Sequence, residues 1–430
     1  MSINFRRYVS GNEEGIVELM KNCFRTFNSW KLSVNDWLKY GDDDYGFKLE
    51  NALVAEFNGK IVGHIQLMHR RIKIGKSMLD CGGIANVSTH PEYRRRGIAT
   101  KLLSMAIEIC KNNGWSISSL FTGYGSEGYN VYRSLGYADT TFIHEYVGTC
   151  ERVRKALKIL PKENVEIEEM KMENLEDVMR IYDDYSGKIN GACWRPMDYW
   201  IKKIIEKIYY QSFFHENKDA GIRIIVKRDG EKIGYALAFN SLKASRSSWP
   251  SKECLILEVA AKRLSDRRIV LRELLSKLLS DEIKFFRMRI PRDPNIDETL
   301  KFFEEIKGAV YMNYITDQNK LFKDLKPEIE NRLRKHGSEL ETKILIKTPY
   351  GEMAMKILGD EIDFCDIGEA ENYVEFSRDG IAKLIYGIKG FRELLYEGFI
   401  TGLKVDDEAL EALNIMFPRR IFYANPIDEW

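Results

Sequence analysis

Along the first 140 residues the apolar positions change period in an orderly way. Leu53-Val54-Ala55-Glu56-Phe57 and Lys60-Ile61-Val62-Gly63-His64-Ile65-Gln66-Leu67 flank Asn58-Gly59. These are two β-rich runs about a pair of residues that tight hairpin turns favour. Leu79–Ser88 reads as a further strand. The spacing then widens: Ala99, Leu102, Leu103, Ala106 and Cys110 fall on one face of a helix, and Asn112-Asn113-Gly114 supplies its stop. Ser116–Thr122 predicts another strand, and Tyr129–Leu135 a short helix ahead of Gly136-Tyr137. Upstream, Ser10-x-x-Glu13 has the form of a capping box opening a helix through Ile16, Leu19 and Met20.

The same order returns about 171 residues later. Arg223–Lys227 and Lys232–Phe239 flank Asp229-Gly230, Leu255–Ala261 repeats the strand, and Leu271, Leu274, Leu275 and Leu278 repeat the amphipathic helix. Aligning Leu102-Leu103 on Leu274-Leu275 sets Gly97 opposite Ile269 and Ala99 opposite Leu271. The second copy keeps the scaffold and loses a glycine turn, so it reads as structural. From about residue 322 the pattern becomes one of short strands (Thr342–Lys347, Glu352–Ile357, Tyr373–Phe376) and two helices (Arg378–Tyr386, Ala409–Phe417). The reading is therefore three units, 1–150, 151–321 and 322–430, of α/β and finally α+β type, with boundaries that no Gly/Ser/Pro-rich linker marks.

Bulk properties narrow the function. A chain of 430 residues exceeds what one core holds. Its net charge of +1 argues against a nucleic acid or an anionic membrane as main partner. Seven scattered cysteines, without C-x-x-C or pairing with His, read as reduced thiols of a cytoplasmic protein and give no metal site. The N-terminal segment has no apolar core of a signal peptide, and no apolar run approaches the ~20 residues of a membrane span.

The chemistry gathers at Arg94-Arg95-Arg96-Gly97-Ile98-Ala99. A loop of consecutive N–H groups leading into a helix N-terminus is a concave anion cradle, reinforced by the helix dipole. Gly97 lets the backbone approach a phosphate, Ala99 is small for the same reason, and the three arginines add positive charge. A basic run before a helix is ordinarily a solvated face, and it is the surrounding strand–turn–helix–strand–helix order that favours the cradle.

Residues 84–100, Ile-Ala-Asn-Val-Ser-Thr-His-Pro-Glu-Tyr-Arg-Arg-Arg-Gly-Ile-Ala-Thr, resemble the acetyl-CoA motif of GNAT acetyltransferases, here Arg94-x-x-Gly97-x-Ala99. Over its full length the chain is similar to the enhanced-intracellular-survival (Eis-type) branch. That resemblance implies tandem GNAT domains, the second degenerate, followed by a sterol-carrier-protein-like domain, and commonly hexameric rings. It implies acetyl-CoA as co-substrate and no metal, with Ala85, Asn86, Val87, Arg95, Arg96, Gly97, Ile98, Ala99, Thr100, Ser126 and Glu127 around it.

By the same resemblance Tyr132, in Val131-Tyr132-Arg133-Ser134-Leu135-Gly136-Tyr137, takes the place of the general acid. A phenol stays protonated at neutral pH, although Tyr124, Tyr129 and Tyr137 compete for the role and Tyr132 would also suit a core. The ending Pro426-Ile427-Asp428-Glu429-Trp430 has the form of a tail whose terminal carboxylate enters the first domain's active site. Such a carboxylate binds an ammonium and routes its proton through water more readily than it abstracts one directly. Bulky Ile427 and Trp430 favour docking over fraying.

Phe24, Phe27, Trp30, Asp36, Trp37 and Tyr40, with Asp42-Asp43-Asp44, mix aromatics and acids in a way that suits a cationic amine, although aromatics at helical spacing more often build core. The expected activity is acetyl transfer to a primary amine: an aminoglycoside-like or polyamine-like molecule, or a lysine side chain. Another acyl donor or a dedicated metabolic amine is a related alternative. A different class is a non-catalytic lipid- or partner-binding protein that uses the GNAT halves as scaffold.

Overall fold

The computed structural model describes residues 2–207, 220–243, 253–279, 283–337 and 339–430. In the first half the strands are β1 (Asn4–Arg7), β2 (Phe47–Phe57), β3 (Lys60–Ile74), β4 (Ser77–Thr89), β5 (Ile117–Thr122) and β6 (Ala138–Thr149). The second half supplies β7 (Glu166–Glu169), β8 (Asn190–Cys193), β9 (Gly221–Arg228), β10 (Glu231–Asn240), β11 (Glu253–Ala261), β12 (Phe285–Met288) and β13 (Glu304–Ile315). All of these form one sheet in the order β1-β2-β3-β4-β5-β13-β6-β12-β11-β10-β9-β7, with β8 paired off this path to β3.

That order contains an exchange. β13, the last strand of the second half, lies against β5 of the first, from Val310 opposite Thr122 to Ile315 opposite Ile117. β6, the last strand of the first half, lies against β12 of the second. β6 and β13 then pair with each other. Each half completes the other's sheet, so neither leaves an unpaired edge at the junction.

The first-half helices are α1 (Glu13–Cys23), α2 (Arg25–Ser29), α3 (Val34–Asp43), α4 (Ile98–Asn112) and α5 (Glu127–Leu135). α4 buries Ile98, Leu102, Leu103, Ala106, Ile109 and Cys110, joining Val62, Ile65, Leu67 and Ile84 in a core on one face of the sheet. On the other face α1 and α3 pack Ile16, Leu19, Met20 and Trp37 against Val54 and Met68. The Ser10–Glu13 capping box does not form. α1 begins at Glu13, Asn12 makes no side-chain cap, and the Glu13 carboxylate is held by the Tyr8 hydroxyl and by the Gly11 N–H at 2.7 Å. A capping box does open α3, between Ser33 and Asp36.

In the second half α6 (Cys150–Ile159), α7 (Leu175–Ser186), α8 (Met197–Tyr199), α9 (Arg267–Leu278) and α10 (Asp297–Leu300) cover the sheet. A third layer follows α11 (Gln318–His336). Its five-stranded sheet has the order β16 (Glu361–Cys365), β15 (Gly351–Leu358), β14 (Glu341–Thr348), β17 (Asn372–Phe376), β18 (Ile400–Lys404). Helices α12 (Arg378–Tyr386), α13 (Phe391–Tyr396) and α14 (Asp407–Met416) complete it. This unit grips the first half at the β3–β4 turn and at the α5–β6 connection. Glu328 accepts from Lys76 N at 2.9 Å, Tyr350 Oη donates to Gly136 O at 2.7 Å, and Asp379 accepts from Asp139 N at 2.9 Å and pairs with Arg133.

Candidate active site

The site starts from two neighbouring strands that part. β4 and β5 run parallel and pair at Cys81–Ile117, Gly82–Ser118 and Gly83–Ser119, and at no later residue. β4 nevertheless runs on to Thr89 and β5 to Thr122, so a wedge opens between them. Where it opens, β4 bulges: Gln66 faces Ala85 and His64 faces Ser88, leaving Asn86 and Val87 opposite the single residue Ile65. Asn86 takes up the bulge with φ +53°. A bulge turns backbone N–H and C=O groups out of the ladder, and here it does so along the wedge edge at Ala85, Asn86 and Val87.

At the wide end lies the turn into α4. Arg95 (φ +62°) and Gly97 (φ +73°) are both left-handed, which gathers successive N–H groups into a cup at the helix N-terminus. A Cβ on Gly97 would meet nothing within 4 Å. The glycine is therefore required by its backbone conformation and by open access to the cup, and not by packing. Arg94 and Arg96 are tied back, to Thr89 O at 3.4 Å and Glu92 O at 3.3 Å, with Arg96 also over the Tyr93 ring. Arg95 is exposed. Ile98 is buried, while Ala99 is half-buried and Thr100 exposed on the first turn. Ser126 and Glu127 are exposed at the start of α5, where Ser126 Oγ accepts from Tyr129 N and lies 3.3 Å from Thr122 Oγ1 at the end of β5.

Four tyrosines follow β5 in the chain, on α5 and in the segments flanking it, and their environments separate them. Tyr124 is 65% exposed. Tyr129 donates to Asp139 at 2.6 Å, and Tyr137, fully buried, bonds Ser118 Oγ at 2.8 Å. Tyr132 is buried in the α4-side core with Ile84, Ile98 and Leu120. Burial alone pushes its phenol up to about 12, so it carries its proton throughout the neutral range.

The narrow end of the wedge is closed by the last residue of the chain. Trp430 Nε1 donates to Ser119 O at 3.2 Å, and its ring lies so close to Gly83 that a Cβ there would come within 2.6 Å. Only glycine at position 83 admits that ring. Phe121 (5.2 Å between centroids) and Arg70 (5.6 Å) complete its surroundings.

The second half supplies the clamp that holds this tail. Arg195, fully buried, binds Asp428 (Nε–Oδ1 2.9 Å) on one side and Glu258 (Nη2–Oε2 2.9 Å) on the other. Tyr199 Oη donates to Asp428 Oδ1 and Ile427 O, both at 3.0 Å. Arg70, bidentate on Asp44 (2.7 and 2.8 Å), reaches Asp428 O. Arg70 and Lys203 together hold the Asp44 carboxyl well below the usual carboxylate range despite its burial. Charges this deeply buried persist only when each is paired, which fixes the tail's path. Asp428 was marked in the sequence only as part of the tail's form, and Arg195 carried no signal beyond an ordinary base.

The segment 24–44 divides. Phe24, Phe27, Trp30 and Tyr40 line a cavity of about 290 Å³ with Met68, Ala85, Asn86 and Trp430. The acids do not join them. Asp36 caps α3, Trp37 is wholly core, Asp44 is consumed by Arg70 and Lys203, and Asp42 and Asp43 open on a different cleft. The expectation of an acidic lining is corrected: capping and buried ion pairs take these carboxylates out of the pocket.

In the second half the corresponding wedge, between β11 and β12, is filled. Arg267, at the start of α9, sends its guanidinium between the strands, donating to Val259 O at 3.0 Å and Pro291 O and pairing with Asp293. Tyr423, from the tail, bonds Leu257 O and Arg289 O across the same gap.

A splayed pair of parallel strands, a bulge and an N–H cup at a helix start together make an open cleft suited to an elongated anionic ligand. The comparisons bring this to a family. Residues 4–139 match the acetyltransferase (GNAT) domain. Over 167 residues the chain is 26% identical to an uncharacterized N-acetyltransferase of Methanocaldococcus jannaschii, covering 34% of this chain and 66%, just under two thirds, of that relative. In fold the chain is similar throughout to a GCN5-related N-acetyltransferase of Anabaena variabilis (TM-score 0.71, 15% identity, all of both chains). It is also similar to Eis1 of Mycobacterium abscessus (TM-score 0.62, 13% identity, all of both chains). Residues 4–139 therefore carry a GNAT acetyltransferase domain. Domains of this kind use acetyl-CoA. Among the described residues no cluster of His, Cys, Asp and Glu suits a metal ion, and no helix is long and apolar enough to cross a membrane.

Proposed function

We propose that this chain transfers the acetyl group of acetyl-CoA to a primary amine in the first half's wedge. The observation that carries the reading is the contrast just described: the wedge of the first half is open, with an anion cup at one end and the chain terminus at the other, while that of the second is filled by the protein's own side chains. The phosphates would sit in the cup, near Arg95, Gly97 and Thr100, with the thioester arm along Ala85, Asn86 and Val87.

The amine nitrogen attacks the thioester carbonyl, the C–S bond breaks, the departing thiolate takes a proton from Tyr132, and the proton that the nitrogen sheds on becoming an amide restores the phenol. A protonated phenol beside the wedge is suited to that transfer. The attacking amine must first shed a proton of its own, and the carboxylate of Trp430 takes the role of anchoring the ammonium and passing that proton to water. The same reading assigns the chain to the Eis type, with a sterol-carrier-like third unit, six-membered rings and a cytoplasmic location. Likeness of fold to Eis1 along the whole chain supports the first of these, and sedimentation velocity checks the assembly.

Saturating acetyl-CoA should raise the unfolding midpoint by several degrees, since a ligand at a hundredfold its Kd stabilises by about 2.7 kcal/mol. Gly97→Val, β-branched at a left-handed position, should abolish that shift. Residues appended after Trp430 should cut turnover while the shift persists. No shift in the unaltered protein sinks the reading, and unchanged turnover with the extended tail removes the terminal carboxylate from it.

A further inference from the structure

The cavity at the acceptor end of the wedge is selective in a way the acidic sequence around it conceals. Its walls are Phe24, Phe27, Trp30, Tyr40, Met68 and Trp430, with Phe24 and Phe27 edge to face at 5.2 Å. The charged side chains lining it are already matched. Lys203 pairs with Asp44 at 2.8 Å, and Glu429 pairs with Arg289. The cation of Lys203 also lies over the Tyr40 ring at 5.1 Å, so that ring face is taken by the protein itself. At about 290 Å³ the cavity sits at the small end of ligand pockets.

Two physical consequences follow. An apolar or aromatic body displaces water from these walls at a gain of roughly 25 cal/mol per Å² of apolar surface covered. A second or third ammonium would have to shed its water against aromatic walls with no unmatched carboxylate to receive it, and beside the like charge of Lys203. Aromatic rings attract one cation, but they do not replace a set of carboxylates for a polycation.

We infer that the acceptor is a compact primary monoamine borne on an apolar body, such as an arylalkylamine, and not a polyamine or an aminoglycoside. This rests on the acetyl-transfer reading above. The acids Asp42 and Asp198 open on a separate cleft, where Asp43 is already paired with Lys207.

The test is initial-rate acetyl transfer by the full-length protein at saturating acetyl-CoA, with phenethylamine, spermidine and kanamycin as acceptors. It is paired with calorimetric titration of each amine in the absence of acetyl-CoA. Phenethylamine should exceed the other two at least tenfold in kcat/KM. Phe27→Asp, which places an unmatched carboxylate in the half-exposed wall, should move the phenethylamine-to-spermidine ratio at least tenfold the other way. Phe27→Leu, of similar polarity to the native residue, should leave the ratio within about threefold. Preference of the native protein for spermidine or kanamycin overturns the inference. Tight, selective binding of phenethylamine with no transfer to any of the three sustains the pocket assignment and overturns the acetyl-transfer reading. Absence of both binding and transfer overturns the two together.

Discussion

The two halves of the large sheet are one scaffold with opposite contents. On the helix alignment, Arg267 stands opposite Arg95. In the first half the chain at that position turns left-handed at Arg95 and again at Gly97, and α4 begins only at Ile98. In the second half Ile269 replaces the glycine, Arg267 is already right-handed helix (φ −55°), and α9 starts a turn earlier. Helix hydrogen bonding thereby consumes the turn that would have formed the cup. The arginine that is exposed in one half is swung inward and wholly buried in the other. Losing one glycine converts an anion cradle into a helix, and the vacated wedge becomes a socket for the protein's own cation. The second half is no idle remnant: Arg195, Glu258 and Tyr199 on it hold the tail that ends in the first half's site.

The largest effect should come from emptying the filled wedge. Arg267→Met removes the partner of buried Asp293 and should destabilise by about 3–5 kcal/mol, read from the urea midpoint. Calorimetry should still count one acetyl-CoA per chain. Tyr423, Ile269 and Leu271 remain, and no cup has been restored. A second bound acetyl-CoA would mean that the arginine alone separates the halves.

A second contrast lies on β3 and β10. Relative to the hairpin turns, His64 corresponds to Tyr235. Tyr235 donates to Glu258, while His64, equally buried beside Trp37, makes no hydrogen bond of normal geometry among the described residues. Burial pushes its imidazole down to about 4, only partly opposed by the nearby Asn86 backbone. The folded chain keeps this ring neutral where the unfolded chain protonates it. Its contribution is therefore flat above the ordinary value near 6.5, is lost as pH falls from there to about 4, and levels off below. The loss is on the order of 3 kcal/mol. His64→Leu should flatten the pH dependence of the urea midpoint across that window by a corresponding amount. An unchanged slope would refute it.

What the sequence foretold follows from what periodicity encodes. Hairpin β2–β3, helix α4 and helix α12 were readable because their apolar spacing is local. The exchange of β6 and β13 was not, because two strands of the same pattern look alike until their partners are known. Of the site, the glycine turn and Tyr132 stood out by motif. Arg267 did not, since a basic residue at a helix start is ordinarily solvated. The tail was suspect through Ile427 and Trp430, but its anchor at Asp428 depends on Arg195, 233 residues away. In the segment 24–44, composition mixed aromatics with acids, and only packing could separate the pocket wall from the buried ion pairs.

The smallest effect, and the finest test of the comparison, concerns Arg95 itself. If its side chain faces phosphate, removing the charge should weaken acetyl-CoA about tenfold, near 1.4 kcal/mol, the lower range for a hydrogen bond to a charged group at an exposed position. Stability should stay within about 0.5 kcal/mol, since the side chain is exposed. Backbone and charge can be told apart by two substitutions. Arg95→Gly removes the charge and favours the left-handed turn, whereas Arg95→Ala removes the charge and leaves a Cβ at φ +62°. Both should lose the tenfold in affinity measured by calorimetry, with the glycine variant the more stable of the two by up to about 1 kcal/mol. Undiminished affinity in both would leave the backbone cup alone to hold the phosphates, and the two halves would then differ by their glycine and not by the use each makes of its arginine.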